Sequence, residues 1–198
     1  YYLEKGASQR PSRIVYDRKY SAVSNLGSDE LDWPSVMAGK DALHFTGITA
    51  AIGENLPAQC EKACRAAKRE GALIFCDLNY RKNLWTSERA SAVMRQIVPY
   101  VDVLIANEED AEKVLGIRAE DTDVNAGKLN EAGYVEVARR ICAEYGVGSV
   151  AVSLRRSISS SDNEWSAMLY SGGRAYFSRK YGIHLVDRVG GGDSFAAG

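Results

Sequence analysis

Between residues 42 and 154, short apolar runs alternate with segments of helix formers, and no other feature restricts the fold as much. Ala42-Leu-His-Phe-Thr46, Ala72-Leu-Ile-Phe-Cys76, Val101 to Ala106 and Ser149 to Leu154 have the length and composition of strands. Pro57 to Glu70, Ser87 to Ile97, Glu108 to Leu115 and Tyr134 to Tyr145 have those of helices. Pro57 suits a first helical turn, where a missing N–H costs nothing, and Gly71 and Gly116 suit helix stops. Strand and helix in turn make βαβ units, because parallel neighbours need a long crossover. The alternation therefore predicts an α/β fold, with a largely parallel sheet and helices on both faces. Glu164 to Tyr170 and Arg174 to Phe177 are expected as an edge hairpin joined by Ser171-Gly-Gly173. The polar stretch from Arg118 to Glu131 is expected as an insertion or mobile surface loop.

In such sheets ligands bind beyond the carboxyl ends of the strands. Polar residues cluster there: Asp77-Leu-Asn-Tyr-Arg81, Asn107-Glu-Glu-Asp110 and Ser153-Leu-Arg-Arg156. After the last strands comes Gly190-Gly-Gly192, which runs into Asp193 and a set of small, helix-compatible residues. Glycine amides can turn toward a ligand at little steric cost, and at a helix start they form an anion site. A carboxylate at the mouth of that site repels phosphate, yet it can take a proton from a hydroxyl that attacks one. The pattern points to phosphoryl transfer, with Asp193 as base and the glycine amides steadying the transferred group. A glycine turn with an Asp helix cap is the plainer alternative. The run lacks the G-x-G-x-x-G spacing and does not follow the first strand, which speaks against a dinucleotide oxidoreductase.

The amino-terminal segment adds a different chemistry. Arg13-Ile-Val-Tyr-Asp-Arg18 suits a strand, and Tyr2, Tyr16 and Arg18 supply aromatic faces and a fixed cation. Arg18 offers a fork that holds a carboxylate bidentately, as Lys cannot. An ordinary exposed strand with a salt-bridging Arg is the alternative. With 25 basic and 26 acidic side chains, the net charge of -1 argues against a surface built for nucleic acid or anionic lipid. No apolar run approaches a membrane span, and no signal-peptide pattern opens the chain. The 4 cysteines, without metal-ligand spacing, fit reduced core residues of a cytoplasmic protein. His44 and His184 are isolated and expected to be structural, Trp33, Trp85 and Trp165 to pack, and Glu108 and Glu109 to form a charged helical turn. A start at Tyr1 without Met and a stop one turn into the last helix suggest an internal fragment.

These residues resemble the ribokinase-like (PfkB) carbohydrate kinases along the whole chain. The family's closing signature, Asp-Thr-x-Gly-Ala-Gly-Asp, is similar to Asp187-Arg188-Val189-Gly190-Gly191-Gly192-Asp193, with Arg188 for Thr and Gly191 for Ala. The resemblance implies Asp193 as catalytic base and the amides of Gly190, Gly191 and Gly192 as an anion hole, with Gly190 and Gly192 near the nucleotide. The family's Asn-x-x-Glu motif, tied to magnesium and phosphate through water, matches Asn107 to Asp110, its last acid one methylene shorter. Ser153 falls where the family holds the nucleotide, and Arg155 stands where Gly is usual. Within the family, Tyr2-Leu-Glu with Val15-Tyr-Asp-Arg18, Asp77 to Arg81, and the closing signature look like the 2-keto-3-deoxygluconate kinases. That likeness implies Tyr2, Tyr16, Arg18, Asn79, Arg81 and Asp193 around a sugar acid.

The implied fold is a ribokinase-like three-layer α/β/α domain over residues 1–198, with a mostly parallel central sheet and part of a small β lid within 1–26. The fold's N-terminal strands and C-terminal helices would be missing. The implied reaction is ATP-dependent, Mg²⁺-assisted phosphorylation of the primary hydroxyl of 2-keto-3-deoxygluconate. The family's habit of pairing lids implies a homodimer or a higher homo-oligomer. A fructokinase- or ribokinase-type enzyme and a non-catalytic sugar- or nucleotide-binding regulator are the alternatives. The intact Asp193 argues against the regulator, which has no need of a base.

Overall fold

Four of the expected strands form the parallel centre of a 7-stranded sheet in the computed structural model. The structure describes residues 1–6, 10–18, 20–118, 131–159, 161–186 and 189–198. In chain order the elements are β1 (Tyr2–Glu4), β2 (Arg13–Val15), α1 (Trp33–Met37), β3 (Ala42–Thr46), α2 (Gly47–Ala51), α3 (Leu56–Glu70) and β4 (Leu73–Asp77). There follow α4 (Ser87–Ile97), β5 (Val103–Ala106), α5 (Glu108–Asp110) with a π-helical turn over Ala111–Leu115, and α6 (Glu131–Tyr145). The chain ends with β6 (Ser149–Ser157), β7 (Asp162–Ser171), β8 (Arg174–Phe177), β9 (Tyr181–His184) and α7 (Gly191–Ala197).

Local chemistry explains the boundaries. The Thr86 side chain accepts from the Arg89 amide and opens α4, while α3 ends where Gly71 adopts φ 73°. The β7–β8 turn places Gly172 at φ 57° and Gly173 at φ 77°, the left-handed pair that a two-residue hairpin requires. β2 stops at Val15, short of the expected Arg18, because its partner β1 runs out at Tyr2 in the register Tyr2↔Val15. The loop expected between Arg118 and Glu131 lies, over 119–130, outside the described residues.

The strands β3, β4, β5 and β6 follow one another across the sheet in chain order. Right-handed crossovers in one direction put α3, α4 and α6 on a single face. Burial agrees: Ile74, Cys76, Leu104, Val150 and Met168 point to that face and are at most 1% exposed. Across the pleat, Leu73 and Leu169 are exposed, and Phe75, Val103 and Ala151 are half-buried. Helices on both faces are expected from the alternation, but the described crossover helices share one because the strand order never reverses. Beyond β6 the sheet turns antiparallel, with β8 and β9 pairing successive parts of β7.

The cysteines, Trp33 and His184 have ordinary structural surroundings. Cys60, Cys64 and Cys76 are buried free thiols, and burial pushes those of Cys60 and Cys64 up to about 12. Trp33 donates to Gln59 at 2.6 Å, and the exposed His184 meets Asp162 at 2.8 Å. Among the described residues no helix is long and apolar enough to cross a membrane.

Candidate active site

The carboxyl end of β4 carries a loop held by its own backbone amides. Three successive amides are each given a partner: Leu78 donates to the Ile105 carbonyl at 2.9 Å, Asn79 to Asp77 Oδ1 at 3.1 Å and Tyr80 to Asp110 Oδ1 at 2.9 Å. Asn79 takes φ 41°, a left-handed conformation that Asn tolerates better than most residues. Gly47, at the start of α2, approaches this loop so closely that a Cβ there would collide with the Leu78 carbonyl oxygen. The loop delivers Arg81 to the surface, with its Nη1 donating to the Tyr80 carbonyl at 3.0 Å.

Two carboxylates sit beneath it. Asp77 and Asp110 are only 8% and 4% exposed. Burial pushes Asp77 up to about 6, opposed by the Asn79 amide and the Arg81 charge, with Asp193 adding to the rise. Burial likewise pushes Asp110 up to about 7, opposed by the Tyr80 amide and reinforced by the negative charge of Asp77. Asp110 also accepts from the Asn107 amide at 3.3 Å, and its own amide donates to Asn107 Oδ1 at 2.9 Å.

Above the loop lies a cleft of about 760 Å³ whose walls include Arg13, Tyr16 and Arg18 from the β2 arm and Arg81, Lys82 and Glu109 from the sheet side. Arg18 lies 3.8 Å over the Tyr16 ring, a cation–π contact that orients its guanidinium. Tyr2 pairs with Val15 on the adjacent strand but does not line the cleft, and Asn79 is buried behind it. At the chain's end Gly190, at φ 74°, precedes α7, and its carbonyl accepts from both the amide and the hydroxyl of Ser194 at 2.8 Å. The Trp165 ring covers Gly191, Gly192 faces open space, and Asp193 is exposed on the first turn of α7. Ser153 is half-buried in β6 opposite Ala167. Asp187 and Arg188 of the closing signature lie outside the described residues.

Cations that face a cleft, strand-end carboxylates beneath it and a glycine run into an acid can be compared with known proteins. Residues 2–140 match the pfkB family carbohydrate kinase domain. The chain belongs to the PfkB family. Among curated proteins, this PfkB chain is 30% identical to the 2-dehydro-3-deoxygalactonokinase of Haloferax volcanii, over 98% of its own length and 54% of that protein's. It is 29% identical to the 2-dehydro-3-deoxygluconokinase of Thermoproteus tenax, over 93% of its length and 49% of that protein's. The chain thus spans about half the length of the curated relatives it matches. Its fold superposes on the 2-dehydro-3-deoxygluconokinase crystal structure from Thermotoga maritima with TM-score 0.91 and 48% identity, covering 98% of this chain and 57% of that one.

In the PfkB chain, some cleft residues escape a reading by sequence. Glu109, expected as an unremarked helical charge, lines the cleft, as do Arg13 and Lys82. Asp77 had a signal, since an acid that closes an apolar parallel strand sits where such sheets bind ligands. Among the described residues no three His, Cys, Asp or Glu side chains gather as a metal site.

The raised Asp77 carries a stability prediction. Its folded-state value of about 6 exceeds the ordinary carboxylate value, so the folded form keeps its proton longer. Its contribution is greatest below the unfolded value and is lost as pH rises through about 6. Asp77→Asn keeps an acceptor for the Asn79 amide and removes the buried charge. The full-length variant should gain about 2–3 kcal/mol over the parent at pH 8 and little at pH 4, read from melting curves. An equal difference at both values would contradict the buried charge.

Proposed function

We propose that the protein phosphorylates a 2-keto-3-deoxy sugar acid from ATP, converting 2-keto-3-deoxygluconate to 2-keto-3-deoxy-6-phosphogluconate. The reading rests on one observation above others: Arg18 and Arg81 line the same cleft from opposite elements. Two guanidinium forks match a carboxylate that a neutral sugar lacks. The relatives named for sugar-acid phosphorylation support the same substrate class.

In this reading Tyr16 bounds the acceptor from the β1–β2 lid, Tyr2 supports that lid from the adjacent strand, Arg18 and Arg81 hold the acceptor's carboxylate, and Asn79 backs the floor. The Asp193 carboxylate accepts the proton of the primary hydroxyl as that oxygen forms its bond to the γ-phosphorus and the bond to the ADP oxygen breaks. The amides of Gly190, Gly191 and Gly192 face the charge that develops on the transferred group. Ser153, Asn107, Gly190 and Gly192 are assigned to the nucleotide side.

Asn107 Oδ1 and both Asp110 oxygens already accept backbone N–H groups, yet each keeps a free lone pair. That donor set fits Mg²⁺ met through water, and bound Mg²⁺ would offset phosphate charge. The exposed Tyr1, Tyr2, Val15 and Tyr16 make the two-stranded lid the proposed pairing surface of a homodimer.

An ADP-release assay of the full-length protein on 2-keto-3-deoxygluconate, its galactonate epimer, fructose and ribose tests the reading. Turnover of one or both sugar acids with little on the neutral sugars is expected. Preference for fructose or ribose would assign it to the neutral-sugar kinases, and binding without turnover would make it a regulator.

A further inference from the structure

The family motif at 107–110 is assigned above to the phosphate side, but the hydrogen bonds of Asp110 lead elsewhere. Its carboxylate is 4% exposed and reaches across 30 residues of sequence to the Tyr80 amide at 2.9 Å. Its other oxygen accepts from the Asn107 amide at 3.3 Å, and the Asp110 amide donates in turn to Asn107 Oδ1 at 2.9 Å. One side chain therefore closes its own turn and anchors the neighbouring strand's loop. Without it, the Tyr80 amide loses its partner, and the next residue is Arg81, whose Nη1 donates to the Tyr80 carbonyl. The Leu78 and Asn79 amides keep separate partners, so the loop retains its start and loses its end.

We infer that Asp110 is a positioning residue for the acceptor, tying loop 107–110 to loop 77–81 so that Arg81 is presented to the cleft. The inference deepens the sugar-acid reading and rests on it for the identity of the acceptor. The physical basis is specific. A carboxylate accepts at both oxygens and so can hold two amides at once, whereas an Asn side chain in the same place turns a donor toward one of them. The short Asp110 side chain brings one oxygen to 2.9 Å from the Tyr80 amide and the other to 3.3 Å from the Asn107 amide.

Two readouts on the full-length protein test it. The first is calorimetric binding of 2-keto-3-deoxygluconate without nucleotide or Mg²⁺. Asp110→Asn should weaken this binding, measured with no Mg²⁺ present, by about tenfold, the size of one lost hydrogen bond, whatever it does to the Mg²⁺ half-saturation of turnover. Unchanged sugar-acid affinity with a raised Mg²⁺ requirement would overturn the inference and leave Asp110 on the phosphate side alone. The second readout needs no substrate: amide exchange at Tyr80 should accelerate in Asp110→Asn, and unchanged exchange would equally overturn it. If the parent binds no sugar acid, the substrate assignment fails by itself, and Tyr80 exchange still decides the tie. Should Asp110→Asn fail to fold, Asp110→Glu keeps the charge while displacing the oxygens. It should show the same rise in exchange at Tyr80, and parental exchange would reject the tie.

Discussion

Asp193→Asn in the full-length protein is expected to lower turnover by about 10²–10⁴-fold while leaving sugar-acid affinity close to that of the parent. The carboxamide has nearly the shape of the carboxylate but cannot take up the hydroxyl proton. Asp193 is exposed on the first turn of α7, and the bond from Ser194 to the Gly190 carbonyl does not involve its side chain. The helix start should therefore survive the change. The acceptor's carboxylate is assigned to Arg18 and Arg81, so its binding should survive as well. The loss should appear in kcat from ADP release, with the dissociation constant from calorimetry nearly unchanged. Near-parental kcat would remove Asp193 from the base role and return the glycine run to a plain helix cap.

Arg18→Ala is expected to raise KM for the sugar acid by about 10–100-fold, the range for a hydrogen-bonded charge pair, and to leave KM for any neutral sugar turned over within about twofold. Arg18 is half-buried and stacked 3.8 Å from the Tyr16 ring, so its fork is oriented before ligand arrives. Arg18→Lys should recover only part of the loss, because an ammonium keeps the charge without the planar fork. Equal effects on acidic and neutral sugars would mean that Arg18 supports the lid generally, and the carboxylate assignment would fall.

The strands and helices were legible because their determinants are local. Periodicity, a Pro at a helix start and a Gly at its end act over a few residues, and Ala42–Thr46 and Ser87–Ile97 have the expected bounds. Where an element depends on its neighbour, local signals stop short. β2 ends at Val15 because β1 ends at Tyr2, although the residues up to Arg18 would extend readily. The helices share one face for a similar reason, since composition marks each helix while strand order sets its side.

The same division runs through the site. Sequence alone determined the α/β class, the strand-end clusters, the Gly-Gly-Gly-Asp start of the last helix and the likeness to the PfkB kinases. It also singled out Arg18 and Arg81 as chemical types suited to a carboxylate. Only the tertiary structure decided that both line one cleft with Glu109, that Tyr2 stays outside its lining, and that burial lifts Asp77 and Asp110. Residue types carry their chemistry wherever they stand. Desolvation and hydrogen-bond partners arise from packing, and the bond from Tyr80 to Asp110 exists because β4 and β5 lie side by side in the register Asp77↔Ile105.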